Sequence, residues 1–179
     1  VSSLWPSFAP GEPDLMAIGK GIGNGIPTAA IAGRTETLSG MGPGDMSSTV
    51  GGNPVSSAAV IAILEIMDEE KLSENALAVG KVIKDRLLAI QDKSRIVGDV
   101  RGRGLVMGVE LVKDRKTKEP AADLTRKLIV RAAEKGLLIG SVGIFGNVIR
   151  VAPPLVINEA QAHESLDIFA SALADVEKR

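Results

Sequence analysis

The sequence predicts an α/β protein in which a short α/β part is followed by a small α+β domain. Two short apolar runs, at residues 15–18 and 29–32, flank a glycine-rich turn, which indicates two short buried strands. Further along, alternating segments and amphipathic helices follow in the order β, α, β, β, α, which is typical of an antiparallel sheet covered by helices. We therefore expect two regions, residues 1–72 and residues 73–179.

Composition excludes several classes of function. The 179 residues carry a net charge of −1, with no cysteine and one histidine. Disulfides, thiolate metal sites and cysteine nucleophiles are therefore excluded, as is a histidine-rich metal site. Because acidic and basic residues are balanced, the chain has no excess of basic residues that would indicate binding to nucleic acid or to an anionic membrane. The irregular first segment lacks a signal-peptide pattern and no apolar run reaches the ~20 residues of a membrane span, so a cytoplasmic protein is expected.

Two helices are predicted in the middle of the chain. Asn53 and Pro54 are typical of an N-cap and a first helical residue, and the helix behind them should run to about Glu70. A second amphipathic helix should begin near Ser73. We expect the two to form one long, bent connector between the regions, and the second helix to bury a stripe made of Leu77, Ile83, Leu87 and Ile90.

The second region has clear local signals of its own. The segment VGDVRGRGLVMGVELV should form strands around its glycines, and LLIGSVG and NVIRVAPPLVI should form two more. A helix from Asp123 to Lys135 should end at Gly136, which suits the C′ position. Asn158 should cap a last helix that extends to about Lys178.

Lys20 is the first candidate for chemistry, within Gly19-Lys20-Gly21-Ile22-Gly23-Asn24-Gly25. A Walker loop would need glycine where Asp14 stands, and a Rossmann fingerprint would need glycine where Asn24 stands. What remains is a lysine directly after an apolar run, between residues that allow close approach. A lysine withdrawn from water is a nucleophilic amine. The alternative is a solvated lysine on a glycine-rich turn.

Thr49 is the second candidate. It lies in a long loop, residues 39–52, that contains five glycines and one proline. Loops of this length inside compact domains are usually functional. A hydroxyl among small residues just before a helix N-terminus can bind a phosphate together with backbone N–H groups. The alternative is a loop threonine that caps a turn.

Arg150 is the third candidate. Alternation within the strand places Val148, Arg150 and Ala152 on one face. An arginine among apolar neighbours requires an anion, and its planar fork suits a carboxylate. The alternative is a structural ion pair with an acidic residue of the chain. Arg101 and Arg103 are expected to be structural.

Four segments, in order, resemble those of class III aminotransferases. They are Pro13-Asp14-Leu15 with Gly19-Lys20 and Ile26-Pro27, then Ser48-Thr49-Val50-Gly51-Gly52-Asn53-Pro54, then Asp99-Val100-Arg101-Gly102-Arg103-Gly104-Leu105 with Gly108-Val109-Glu110-Leu111, and Asn147-Val148-Ile149-Arg150-Val151-Ala152-Pro153-Pro154-Leu155. The chain is therefore similar to 4-aminobutyrate and acetylornithine aminotransferases from residue 13 to its end. Val50 departs from the aromatic residue that often follows this threonine.

The resemblance implies the end of the large pyridoxal 5'-phosphate (PLP) domain of fold type I, followed by the small C-terminal domain. It implies that Lys20 forms the Schiff base with PLP and that Arg150 binds the substrate carboxylate. Thr49 would bind the cofactor phosphate of the partner subunit, which implies a homodimer with a composite active site. The activity implied is amino-group transfer between an amine or amino acid and a keto acid, often 2-oxoglutarate.

Groups that the family supplies from its N-terminal part cannot be located in this sequence. They are the aspartate at the pyridine nitrogen, the aromatic residue that stacks on the ring, and the main phosphate-binding turn. We therefore expect a piece of a larger enzyme, inactive by itself. Two alternatives remain: another PLP reaction on the same scaffold, such as racemisation, mutase chemistry or decarboxylation, and a non-catalytic fragment that binds no cofactor.

Overall fold

The computed structural model describes residues 13–45 and 47–178, so the predicted irregular segment at residues 1–12 lies outside the described residues. The chain divides into two compact units, the first ending at Lys71 and the second beginning at Leu72. The helices and strands, in chain order, are β1 Leu15–Ile18, β2 Ala30–Gly33, α1 Thr35–Leu38, α2 Pro54–Glu69, α3 Leu72–Lys93, β3 Val97–Arg103, β4 Val106–Leu111, α4 Ala122–Glu134, β5 Gly140–Val142, β6 Val148–Val151 and α5 Glu159–Glu177. No helix in this described part is long and apolar enough to span a membrane.

The two strands of the first unit, β1 and β2, pair antiparallel with each other and form a two-stranded sheet. A 3-10 turn at Lys20–Gly23 follows β1. The two predicted strands are confirmed, but their predicted burial is wrong. Leu15 and Ile31 are 50% and 48% exposed, because a sheet of two strands leaves both of its faces open unless another element packs against it.

Helix α2 begins where the sequence predicts. The Asn53 side chain accepts hydrogen bonds from the N–H groups of Val55 and Ser56, at 2.9 and 3.2 Å, and Pro54 takes the first helical position. The helix ends at Glu69, and Lys71 has a left-handed backbone with φ of 51°. α2 and α3 are therefore two separate helices. No residue of α2 is buried, although most of its sequence is apolar.

Helix α3 buries a stripe that differs from the predicted one. Ile83 and Leu87 are buried as expected, and Leu72 and Val79 complete the stripe. Leu77, in contrast, is 50% exposed. At ~100° per residue, a position six residues before Ile83 lies roughly 120° away around the helix, outside the apolar face. Including Leu77 in the stripe was therefore wrong.

The second unit contains a four-stranded antiparallel sheet in the order β3-β4-β6-β5, which confirms the predicted antiparallel arrangement. The last two strands are shorter than the predicted segments. One face of the sheet packs against α3, α4 and α5 around a core that includes Leu87, Val97, Val109, Leu128, Ile149 and Phe169. On the other face, the described residues place Arg101, Gly108 and Arg150 in one row, beside Glu110 and Val148.

Two helices of this unit are joined by an ion-pair cluster. α4 ends at Glu134 with Lys135 as its C-cap, and Gly136 follows in the predicted C′ position with φ of 91°. A capping box of Asn158 and Gln161 starts α5 at the predicted N-cap. Between the helices, Asp175 accepts from Arg131 Nε at 2.8 Å and lies 3.1 Å from Lys135 Nζ. These donors, Arg131 first, lower the pKa of the Asp175 carboxyl below its ordinary value.

Candidate active site

Lys20 follows β1 directly and begins the 3-10 turn. Its backbone is left-handed, with φ of 54°, a conformation that costs energy for a residue with a side chain. The turn is held by backbone bonds, among them Asn24 N to Gly21 O at 3.1 Å. A Cβ added at Gly19 or Gly21 would meet nothing within 4 Å, so the space around the lysine is open.

The Lys20 side chain is exposed, which matches the solvated alternative rather than a lysine withdrawn from water. Within residues 13–45 and 47–178, no carboxylate forms an ion pair with its ammonium group. The amine is therefore accessible to a carbonyl compound from the solvent side.

Thr49 is exposed in a turn that leads into α2. Gly51 N donates to Ser48 O at 3.2 Å, and Asn53 N donates to Val50 O at 3.3 Å. The expected use of the α2 N-terminus as a phosphate site is limited, because the Asn53 side chain already accepts from the N–H groups of the second and third helical residues. The donors that remain are the Thr49 hydroxyl and the N–H groups of the loop itself.

One contact relates the two loops of the first unit. Ser56, in the first turn of α2, donates from Oγ to the carbonyl oxygen of Pro27 at 3.5 Å. Pro27 follows the glycine-rich turn that Lys20 begins. The helix that the Thr49 loop enters is thereby packed beside the Lys20 turn.

Arg150 lies on β6 in the second unit, on the face of the sheet opposite the core. Its neighbour Ile149 is fully buried, whereas Arg150 is exposed. Arg150 was expected among apolar neighbours, but its side chain is exposed because the helices cover only the face of β6 that carries Ile149. Directly across from Arg150 are two glycines, Gly108 on β4 and Gly140 on β5.

Arg150 also lines a groove of about 980 Å³, whose other lining residues are mostly apolar and belong to the same unit. In the part of the chain that the structure describes, its guanidinium has no ion-pair partner. The structural ion pair considered as its alternative role is absent there. Arg150 is thus a free cation at an open apolar groove.

Arg101, in contrast, is occupied by the chain's own carboxylates. Its Nη1 donates to Asp99 Oδ2 at 2.7 Å and to Glu110 Oε2 at 2.6 Å. These two bonds, that to Asp99 first, raise the pKa of the Arg101 guanidinium. The arrangement agrees with the structural role expected of this residue.

Two asparagines that the sequence analysis did not single out hold the two ends of the segment from β6 to α5. Asn147 is buried, donates from Nδ2 to the carbonyl of Leu111 at 2.8 Å and accepts from Leu111 N at the same distance. Asn75 on α3 donates to the carbonyls of Leu155 and Ile157, at 2.7 and 3.0 Å. The only sequence signal for Asn147 was a polar residue at the start of an apolar strand. For Asn75 there was none.

The three predicted site residues are distributed over the two units. Lys20 and Thr49 lie in the first unit and Arg150 in the second. Each is exposed, and each lies at the end of a strand, in a loop or on an open sheet face. The described residues thus offer an amine, a hydroxyl and a guanidinium, groups able to bind a carbonyl, a phosphate and a carboxylate respectively.

Comparisons with known proteins agree with these motifs. The sequence model of class III aminotransferases matches residues 6–173. The chain is 40% identical over 164 residues to 5-aminovalerate aminotransferase DavT of Pseudomonas aeruginosa, covering 92% of this chain and 38% of that protein. It is 43% identical to the alanine/serine racemase of Pyrococcus horikoshii, covering 92% of this chain and 34% of the racemase.

A solved structure is similar as well. A phospholyase from Arthrobacter, in complex with phosphoethanolamine, is 41% identical with a TM-score of 0.85, covering 91% of this chain and 39% of that one. The chain therefore spans somewhat more than a third of the length of these relatives. Together with the match of the family model to nearly the whole sequence, these similarities show that the chain belongs to the class III aminotransferases, with the fold of the PLP enzymes of fold type I.

Proposed function

We propose that this chain is part of a PLP-dependent enzyme that transfers an amino group between an amine or amino acid and a keto acid. Membership of the aminotransferase family and the identity to an aminovalerate aminotransferase support the reaction type. The observation that carries the proposal is Lys20, an accessible amine that follows β1 and lies between two unobstructed glycines.

The residues present are suited to PLP. A carbonyl-bearing cofactor needs a primary amine with free space around it, and Lys20 provides both. Its phosphate needs hydroxyl and N–H donors that are not already engaged, and the Thr49 loop contains such a hydroxyl. The match concerns these donors only, since the ring-binding groups of the family have no counterpart among the motifs of this sequence.

Each residue has a definite part in the reaction. PLP, when bound, acts as the electron sink for the carbanion chemistry. Lys20 would hold the cofactor through its amine, and that amine, when free, would move a proton at the substrate carbon that bears nitrogen. Thr49 anchors the phosphate, and Arg150 orients the substrate carboxylate with two parallel hydrogen bonds. We further propose 2-oxoglutarate as the keto acid and a homodimer in which Thr49 serves the partner subunit's cofactor.

A second reaction on the same residues is favoured by one observation. The racemase relative is as similar to the chain as the aminotransferase is, and the phospholyase structure shares 41% identity. A racemase would also use Lys20 to move a proton at the same carbon, but would return it to the opposite face without losing the nitrogen. Incubation of the complete enzyme with amino acid and 2-oxoglutarate separates the two, because only transfer produces glutamate.

The assignment of Lys20 is tested by chemical trapping. The complete enzyme that contains this chain is loaded with PLP, treated with borohydride and digested, and the modified peptide is identified by mass spectrometry. We expect the pyridoxyl group on Lys20. Lys81, which is exposed and paired with Asp85, serves as an internal comparison. A label on Lys81 or Lys135 would end the assignment, and no label at all would favour the non-catalytic alternative.

A further inference from the structure

The neighbours of Arg150 across the sheet determine what can approach it. Reading across the open face in register, the row is Arg101, Gly108, Arg150 and Gly140, one residue from each strand. Residues directly opposite in an antiparallel pair have side chains about 5 Å apart, so they are the closest lateral neighbours that a strand residue has. Arg150 has glycine on both sides.

The two glycines differ in what a side chain at their position would contact. A Cβ at Gly108 would lie 3.0 Å from Val148 Cγ1, so a side chain there would require the Val148 methyl group to shift by a few tenths of an ångström. Among the described residues, a Cβ at Gly140 would meet nothing within 4 Å, and Gly140 has no positive φ. Neither sterics nor backbone conformation therefore requires glycine at position 140, and an interior glycine weakens a strand.

We propose that Gly140 is a specificity-determining position, which keeps the space beside the Arg150 guanidinium open for carboxylates whose neighbouring carbon is branched. The inference rests on the proposed role of Arg150 in binding the substrate carboxylate. A carboxylate held by the guanidinium has position 140 as its lateral neighbour on the side of β5. A substituent on the carbon next to the carboxylate is then accommodated on that side, where the described residues leave the Gly140 Cβ position free at the edge strand of the sheet.

The size of the effect follows from the behaviour of apolar pockets. One methylene too many in a pocket changes binding by about 10-fold or more. A leucine at position 140 would fill the space that the substituent needs, whereas an alanine would fill only the part nearest the backbone. The affinity for branched carboxylates relative to unbranched ones should therefore decrease stepwise from glycine to alanine to leucine.

The experiment uses two non-reacting probes, glutarate and 2,4-dimethylglutarate, with the complete enzyme and isothermal titration calorimetry. The dimethyl compound is branched next to both carboxylates, so either end presents a methyl group at Arg150. We expect the unmodified enzyme to bind both with similar affinity. Gly140→Leu should weaken the dimethyl compound at least ~10-fold more than glutarate, and Gly140→Ala should lie between.

Two comparison variants make the result decisive. Val106→Leu enlarges an exposed side chain on β4, two residues away from Gly108 and outside the groove, and should alter the ratio of the two affinities by less than about twofold. Arg150→Ala should weaken both probes at least ~30-fold. If Arg150→Ala leaves both affinities unchanged, the carboxylate site itself is wrong. If it weakens both while Gly140→Leu affects them equally, or if the unmodified enzyme already rejects the dimethyl probe, the inference about Gly140 is wrong and the proposed function stands. Gly140→Ala retains the test should the leucine variant fail to fold.

Discussion

Lys20 combines an accessible amine with a left-handed backbone. The conformation alone does not single it out, because Lys71 and Lys118 also have positive φ in this chain. What distinguishes Lys20 is its place directly after a strand and between two glycines that leave free space. The hydrogen bonds of the turn fix the Lys20 backbone, so the position of its Cα atom is defined. The exposed side chain that carries the amine remains free to extend.

Arg150 yields a prediction that separates substrates with and without a carboxylate. In the complete enzyme, Arg150→Ala should raise KM for amino and keto acids and spare amines that lack a carboxylate. Loss of a charged, bidentate partner costs about 2–5 kcal/mol in binding. The measurement is steady-state kinetics with paired substrates of both types.

Arg101 provides the matched control for that experiment. It lies in the same row of the sheet, but its guanidinium is engaged by Asp99 and Glu110. Arg101→Ala should therefore leave the ratio of KM values between carboxylate and non-carboxylate substrates unchanged. Equal losses toward both substrate types in Arg150→Ala would mean that Arg150 has a structural role.

At the level of elements, α3 reaches the sheet through a contact between two glycines. A Cβ added at Gly80 would lie 2.2 Å from the carbonyl oxygen of Gly104, in the turn between β3 and β4. The atoms it would meet are backbone, so the helix itself would have to move. The register between α3 and the hairpin depends on this contact.

We predict that Gly80→Ala destabilises the protein by about 1–3 kcal/mol, because overpacking outweighs the gain in helix propensity. The control is the reciprocal change at an exposed position two residues away, Ala78→Gly, which should cost ~1 kcal/mol from propensity alone. Chemical denaturation measures both. A more stable Gly80→Ala protein would show that α3 does not approach the hairpin this closely.

The contact between α4 and α5 gives a prediction about pH. Arg131 and Lys135 lower the pKa of Asp175 in the folded protein, so its carboxylate contributes stability above the pKa of the unfolded state, and that contribution is lost as the pH falls through ~4 and below. Asp175→Asn should lower the unfolding temperature at pH 7 and converge with the unmodified protein near pH 3. Asp85→Asn, which removes only an exposed pair with Lys81, should show a much smaller difference at pH 7. An unchanged difference across the whole pH range would contradict this account.

Local signals explain which elements the sequence could predict. Asn53, Asn158 and Gly136 mark helix ends through bonds and backbone angles within a few residues, and all three are found as expected. Burial, in contrast, depends on which distant parts of the chain pack against a residue. The predicted burial of Leu15 and of Leu77 was wrong for this reason.

The same reasoning applies to the candidate site. Lys20, Thr49 and Arg150 could be named as candidates because each lies in a short motif, which can be recognised from the residues next to it in the sequence. The pairing of Arg101 with Glu110 was not predictable, since it depends on the cross-strand register and on the irregularity between Val97 and Asp99. Asn147 and Asn75 were missed for the same reason, as their hydrogen-bond partners are dozens of residues away.

At the scale of the whole molecule, large apolar side chains are exposed in both units. α2 contains no buried residue, and Val55 and Ile61 are 70% and 57% exposed. Leu15 and Ile31 are half exposed on the two-stranded sheet, and Ile144 and Phe145 are exposed between β5 and β6. Exposed apolar side chains and unpaired strand edges favour association.

We therefore predict that the isolated 179-residue chain is oligomeric or aggregation-prone and binds PLP weakly or not at all. Gel filtration and a PLP titration followed by absorbance are the measurements. A well-behaved monomer that binds PLP stoichiometrically would mean that groups of this chain replace those that the family supplies from its N-terminal part.

The carboxylates paired with Arg101 also determine how many unpaired positive charges lie on this row of the sheet. Arg101 and Arg150 are two strands apart, about 10 Å, on the same row. Asp99 and Glu110 bring two negative charges to Arg101, so these three side chains together carry a net charge of −1. Replacing both carboxylates by amides would leave a second unpaired cation at that spacing without altering the backbone. If Arg150 binds a carboxylate as proposed, the doubly substituted protein should favour ligands with two negative charges, although neither substituted residue would touch the ligand.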